Sequence, residues 1–270
     1  MINQIKGLHH VTSLASKARP NNAFFTNTLG LRRIKQTVNF DAPDVYHLYY
    51  GDEEGTPGSV MTYFPFPAAA RGRPGTGEVG RTSFSVPKGT LNAWSARLTS
   101  HGTTGLGTDT CFGDNRHLYD GPDVVGASAD LLAYMCFEEI DRHDNVIRFA
   151  VPDGNEANVI DIETIKGANH ASQGAGSVHH IAFAVENRAR QLEVREALID
   201  TGYAVTPVIN RDYFWAIYFR TPGGVLFEVA TNEPGFATDE DTANLGEVLQ
   251  LPSQHAHLRE KLARTLEPLS

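Results

Sequence analysis

Cysteine is nearly absent from this 270-residue chain, which carries Cys111 and Cys136 alone. Two cysteines without CxxC spacing make neither a disulfide scaffold nor a thiolate zinc site, and both read as small reduced hydrophobes. Positive charge is also scarce. The 23 Lys and Arg face 32 Asp and Glu, for a net charge of -9. That balance argues against nucleic acid, whose phosphates reward clustered cations, and against a polybasic membrane-surface role. No apolar run is long enough to span a bilayer, so no membrane partner is expected. The opening MINQIKGLHH lacks the apolar core of a secretory signal, and the cytoplasm is the expected compartment. What is present is 41% hydrophobic content, enough for a sizeable core in one large domain or two smaller ones.

The apolar pattern repeats. Residues 8–13 read as a strand and residues 20–29 as a helix closed by Gly30. Residues 32–38, 46–50 and 59–64 read as strands, the last two joined by the turn-forming GDEEGTPG. The same β-α-β-β-β order returns near the end: a strand at 178–185, a helix at 188–201 ending at Gly202, then strands at 204–208, 213–220 and 225–230. Two weaker copies lie between. One runs from a strand at 80–87 into a helix at 91–102; the other from a helix at 130–137 into the strands NVIRFAVP and NVIDIETI. Between them DGPDVVGAS leaves little chain for both a closing and an opening strand, so the third copy reads as shortened. The expected class is α+β, built of tandem βαβββ modules. Modules one and two occupy residues 1–120, the shortened third and the fourth 121–236, and a helical tail 237–270.

Modules one and four both open on His-His, in GLHHVTS and SVHHIAF. Successive side chains of a strand face opposite sides of a sheet. His179, Ile181, Phe183 and Val185 then share a bulky apolar face, whereas His180, Ala182 and Ala184 share a small one that opens onto space. By the same alternation His10 goes with Thr12, so His10 and His180 are the pair expected in a cavity. VLFEVAT adds Glu228 inside an apolar strand, where an ionised carboxylate is costly unless paired or metal-bound. Two histidines and one carboxylate form the facial triad of non-haem Fe(II) oxygenases. The plainer readings are hydrogen-bonded core histidines and a Glu228 paired with Arg220 or Arg211. His9 and His179 read as supporting residues. Tyr218, just before the turn into the Glu228 strand, could reach a metal-bound ligand or be a half-buried strand tyrosine. Arg211 could hold an anionic oxygen, orient Tyr218, or pair with Asp212.

The strings GLHHVTS, YHLYYGDEEGTPGSVMTYFPFP, VHHIAFAV, NRDYFWAIYFRTPGGVLFEVATNEPGF and DEDTANLGEVLQLPSQHAHLREKLARTLEPL carry a resemblance to a known family. The chain resembles the vicinal oxygen chelate superfamily (glyoxalase, bleomycin resistance, extradiol dioxygenase), and within it the ring-cleaving dioxygenases that act on hydroquinones. The resemblance implies two half-barrel-type domains, with an active site joining the first and last modules. It implies Fe(II) on His10, His180 and Glu228, with Mn(II) or Zn(II) as lesser alternatives, and catalytic or supporting positions at Thr12, His179, Arg211 and Tyr218. The implied partners are a small hydroquinone- or catechol-like aromatic and O2. Polar residues 255–270 could pack on their own chain or on a neighbour in a homo-oligomer. Two other readings stay open. One is a glyoxalase-like isomerase or thiol transferase on Zn, Ni or Mn; such enzymes commonly carry a carboxylate in both repeats, but here the first-module equivalent of Glu228 is expected near Phe64, which is no ligand. The other is a non-catalytic aromatic-binding protein. The departure from the family pattern is the much shorter stretch between Tyr119 and Asp130.

Overall fold

Apolar side chains at every second position of residues 181–185 and 225–229 demand a sheet with one face buried under a helix. The computed structural model describes residues 1–119, 129–165 and 167–269. The shortened stretch expected between Tyr119 and Asp130 falls on residues 120–128, outside the described residues. The first module contains β1 (Leu8–Ala15), α1 (Ala18–Ala23), β2 (Arg32–Val38), β3 (Tyr46–Gly51) and β4 (Val60–Pro65). There follow α2 (Leu91–Ser100), β5 (Gly105–Cys111) and β6 (Asp114–Tyr119), then α3 (Ala129–Tyr134), β7 (Glu138–His143), β8 (Val146–Ala150) and β9 (Val159–Glu163). The last module contains β10 (Val178–Val185), α4 (Arg188–Asp200), β11 (Ile209–Asn210), β12 (Phe214–Arg220) and β13 (Leu226–Pro234). The tail ends in α5 (Arg259–Thr265).

Among the described residues one curled eight-stranded sheet has the order β11-β12-β13-β10-β1-β4-β3-β2; β5-β6 and β7-β8-β9 form separate small sheets. The first and last modules thus share one sheet. They join where β1 and β10 pair antiparallel, and in each the opening strand pairs parallel with the closing strand, β1 with β4 and β10 with β13. This is a local two-fold. On the outer face Val194 and Leu198 of α4 cover Phe183, Ile217, Phe227 and Val229, all essentially inaccessible. Phe25 packs with Leu48, Tyr50, Met61 and Tyr63 under the first module's helix.

Three predicted elements differ. The helix at 20–29 is a short α1 that widens into a π turn (Phe24–Thr28), which buries Phe25 before Gly30 (φ 76°) ends it. Residues 204–208 are not a strand. Thr206 bonds the Tyr218 backbone in both directions, but Pro207 has no N–H to continue the ladder. Residues 81–87 run without strand pairing; β1, their counterpart in the first module, needs β10 beside it, and the described residues offer no such neighbour.

Residues 235–247 strap the inner face of the sheet. Phe236 packs against Tyr49 and Tyr213, with ring centroids 5.2 and 5.8 Å apart. Lys35, fully buried on β2, reaches Asp239 Oδ1 at 2.6 Å and Glu240 Oε2 at 2.5 Å, and Tyr213 donates to Asp239 at 2.9 Å. Removing one partner of a buried ion pair strands the others. Lys35→Ala is therefore expected to cost about 3 kcal/mol, read as a lower urea midpoint in equilibrium unfolding.

Candidate metal centre

Strand register lays two adjacent rows of side chains across the inner face. One row runs Tyr218, Glu228, Ala182, His10 and Val60. The other runs Lys35, Tyr49, Thr62, Thr12 and His180. His10, His180 and Glu228 stand where the rows meet, at the β1–β10 junction, and the small Ala182, Ala216 and Ala230 leave them room.

The three atoms converge. His10 Nε2 lies 3.3 Å from His180 Nε2 and 3.6 Å from Glu228 Oε2, and His180 Nε2 lies 2.8 Å from the same oxygen. Ligands about 2.1 Å from one ion and at right angles lie about 3 Å apart, so this triangle fits three positions on one face of an octahedron. All three residues are buried, and neither Glu228 oxygen has a well-directed hydrogen-bond donor among the described residues. The close His180–Glu228 approach is that of two ligands aimed at a common point, not of a donor aimed at an acceptor. Burial would push the Glu228 carboxyl up, but the His10 and His180 rings outweigh it and hold the carboxyl well below the usual range. Burial holds His180 below the ordinary imidazole value. A metal takes the carboxylate as an anion and each imidazole through an unprotonated nitrogen. The residues present fit a divalent ion.

Each His-His pair sits on a β-bulge, which strict alternation does not anticipate. Register shifts separate Leu8 from His10 and Thr12 from Ser13, and the second shift leaves His179 as the extra residue of β10. The bulges turn both rings of a pair to the same side. His9 Nδ1 lies 2.9 Å from His10 Nδ1, and His179 Nδ1 lies 2.8 Å from His180 Nδ1. His179 therefore does not share the face of Ile181; its ring contacts Phe64, centroids 5.8 Å apart. With each Nδ1 occupied in this way, the Nε2 atoms of His10 and His180 are the ones free to bind an ion.

The supporting pairs are not equivalent. His9 is buried, and desolvation first and then the neighbouring His10 lower its pKa to about 3. His179 is half-buried, with a pKa lowered to about 4 by burial and then by His180. Its Nε2 has no hydrogen-bond partner among the described residues.

Tyr218 pairs with Glu228, and its ring lies 5.8 Å from that of His180. Burial and then the Glu228 charge raise its pKa well above the phenol value, so it is a neutral O–H. Arg211 Nε donates to Tyr218 Oη at 3.3 Å, and its guanidinium lies between the Tyr218 and Phe40 rings, 5.4 and 5.3 Å from their centroids. The expected Arg211–Asp212 pair does not form. Arg211 reaches Asp41 at 3.4 Å, while Asp212 accepts from Ser253. Thr12 Oγ1 bonds Thr62 Oγ1 at 2.9 Å.

The register corrects one assignment. Ala182 pairs with Glu228 as Thr12 pairs with Thr62, so the first-module counterpart of Glu228 is Thr62, not Phe64. It is still no carboxylate. His47 and Tyr49, on the same inner face, were not read from the sequence; in YHLYYG they pass for ordinary members of an apolar strand.

A family model described as the Glyoxalase/Bleomycin resistance protein/Dioxygenase superfamily matches residues 133–229. The chain is 36% identical to MhqO of Bacillus subtilis (strain 168), provisionally named a ring-cleaving dioxygenase, across 99% of this chain and 98% of that one. It is 30% identical to the chlorohydroquinone/hydroquinone 1,2-dioxygenase of Sphingobium indicum, across 97% and 96%. The MhqO alignment runs over 308 positions against 270 residues here, so at least 38 positions of that relative have no counterpart. A crystal structure of a provisionally named dioxygenase from Bacillus subtilis matches with a TM-score of 0.92 at 35% identity, covering 99% of this chain and 98% of that one. Glyoxalase I from Zea mays matches in fold alone, with a TM-score of 0.60 at 10% identity over 84% and 92%.

Proposed function

This chain belongs to the glyoxalase/bleomycin resistance protein/dioxygenase superfamily, and on that premise we propose that it is an Fe(II)-dependent ring-cleaving dioxygenase acting on a dihydroxylated aromatic ring of the hydroquinone type. The observation that carries the proposal is the convergence of two imidazole nitrogens with a buried carboxylate that has no well-directed hydrogen-bond donor among the described residues. Fe(II) bound there would supply Lewis acidity toward a phenolic oxygen and the electron transfer that O2 chemistry needs.

The chain's own residues do the rest. His10, His180 and Glu228 would hold the ion. His9 and His179 fix the ring tautomers of the two ligands. Tyr218 offers a neutral O–H beside Glu228, steadied by Arg211. His179, half-buried and with no Nε2 hydrogen-bond partner among the described residues, is the second donor beside the site, able to give a proton or a hydrogen bond to oxygen. Thr12 ties the site to the first-module wall through Thr62.

Oxygen uptake tests the reading. Protein loaded with Fe(II) under anaerobic conditions, then mixed with hydroquinone and O2, is expected to consume the two in equal amounts. No uptake with any hydroquinone or catechol, together with turnover of a thiol adduct, would replace the dioxygenase with an isomerase.

A further inference from the structure

The first-module side of the inner face forms a polar wall beside the metal centre, and the roles given above leave most of it unused. A hydrogen-bonded chain runs along it. Tyr49 Oη lies 2.8 Å from His47 Nδ1, His47 Nε2 lies 2.8 Å from Thr62 Oγ1, and Thr62 Oγ1 lies 2.9 Å from Thr12 Oγ1. All four residues are buried. Beside the chain Thr37, which pairs with His47, has a buried hydroxyl with no hydrogen-bond partner among the described residues. The local two-fold gives this wall its place. Tyr49 pairs with Thr62 as Tyr218 pairs with Glu228, so Tyr49 is the counterpart of Tyr218 across the metal centre. Ring contacts carry the wall round to a ligand: His47 to Phe64 at 4.3 Å, Phe64 to His179 at 5.8 Å, and His179 to His180 at 5.1 Å.

We propose that this wall is the subsite for the second ring oxygen of the substrate, with Tyr49 as the residue that touches it and His47 as the positioning residue behind. The inference rests on the dioxygenase reading and names its specificity. Charge supports it. Burial, first among the causes, holds His47 well below the ordinary imidazole value, so the chain is neutral. Lys35, on the same row, is already taken up by Asp239 and Glu240. A neutral chain of hydroxyls and one imidazole can be polarised in either direction. With His47 donating from Nε2 to Thr62, Tyr49 gives its proton to Nδ1 and offers lone pairs to the inner face. With the opposite tautomer, Tyr49 accepts from Nδ1 and offers its O–H. Such a group suits a phenolic hydroxyl, which both donates and accepts, and not a carboxylate.

Ring geometry sharpens this. The oxygens of a catechol are neighbours and can share one ion, which leaves the wall unmatched. The second oxygen of a hydroquinone lies across the ring and needs its own partner, because a buried hydroxyl without one is costly.

Tyr49→Phe removes a single oxygen and tests the idea. Fe(II)-loaded protein is titrated without O2 by calorimetry, once with hydroquinone and once with phenol, which has no second oxygen. The variant is expected to retain iron as the wild type does, to bind hydroquinone about tenfold more weakly, and to bind phenol unchanged. His47→Gln, which unseats Tyr49 without touching the substrate, is expected to move hydroquinone binding in the same direction and phenol binding not at all. Equal losses for both ligands, or none for either, would overturn the inference. A wild type that consumes O2 with hydroquinone yet binds it no better than phenol would overturn the inference alone. A wild type that binds neither would overturn the dioxygenase reading, and this inference with it.

Discussion

Glu228→Ala is expected to fold, to purify without iron, and to gain nothing in melting temperature when Fe(II) is added. The wild type at a metal concentration 100-fold above Kd should gain about 2.7 kcal/mol, or about 5–10 °C for a chain of this size. The contrast follows from the carboxylate's position. It is fully buried, ionised, and without a well-directed donor among the described residues. His10→Ala and His180→Ala should lose iron as completely, since each leaves only two ligands. Iron bound as in the wild type by Glu228→Ala would refute the assigned triad.

His9→Ala and His179→Ala should fail in different ways, although the two residues look alike in sequence. Each bonds the Nδ1 of a ligand, so each substitution should weaken metal affinity by about 10–100-fold, the usual cost of losing a ligand's hydrogen-bond partner. His9 has nothing further to give, because its ring is buried away from the open edge of the site. At saturating Fe(II), His9→Ala should recover near-normal turnover. His179 keeps a free Nε2 at the half-buried edge of the site. Its loss should lower kcat by about 10²–10⁴-fold even when the metal site is full. Turnover against Fe(II) concentration separates the two; a full recovery of His179→Ala at saturation would reduce that residue to an orienter like His9.

Much of the frame was legible from local pattern. The alternation of Ile181, Phe183 and Val185 with small residues placed β10 and its buried face, and glycines at 30 and 202 marked helix ends, because these features depend on neighbours in sequence. Alternation also selected His10 and His180, whose Nε2 atoms do meet. It could not see the bulges, which exist only because β1 and β10 pair out of register. That is why His179 seemed to belong with Ile181. Thr62 was missed in favour of Phe64 for a related reason: counting along a strand does not give its register against the next one. His47 and Tyr49 lacked any signal of their own. Their polarity matters only where β3 lies beside β4 and turns them to the same inner face as the metal centre. The Lys35 tie to Asp239 and Glu240 joins residues some 200 positions apart, beyond the reach of any local motif.

The central claim is that O2 enters the ring of a hydroquinone at the iron held by His10, His180 and Glu228. Turnover of hydroquinone under isotopically labelled O2 tests it most directly, with the ring-opened product read by mass spectrometry. The account predicts labelled oxygen in the product carboxylate from Fe(II)-loaded wild type and no product from Glu228→Ala under the same conditions. A ring-opened product without label, or the same labelled product from Glu228→Ala, would contradict it.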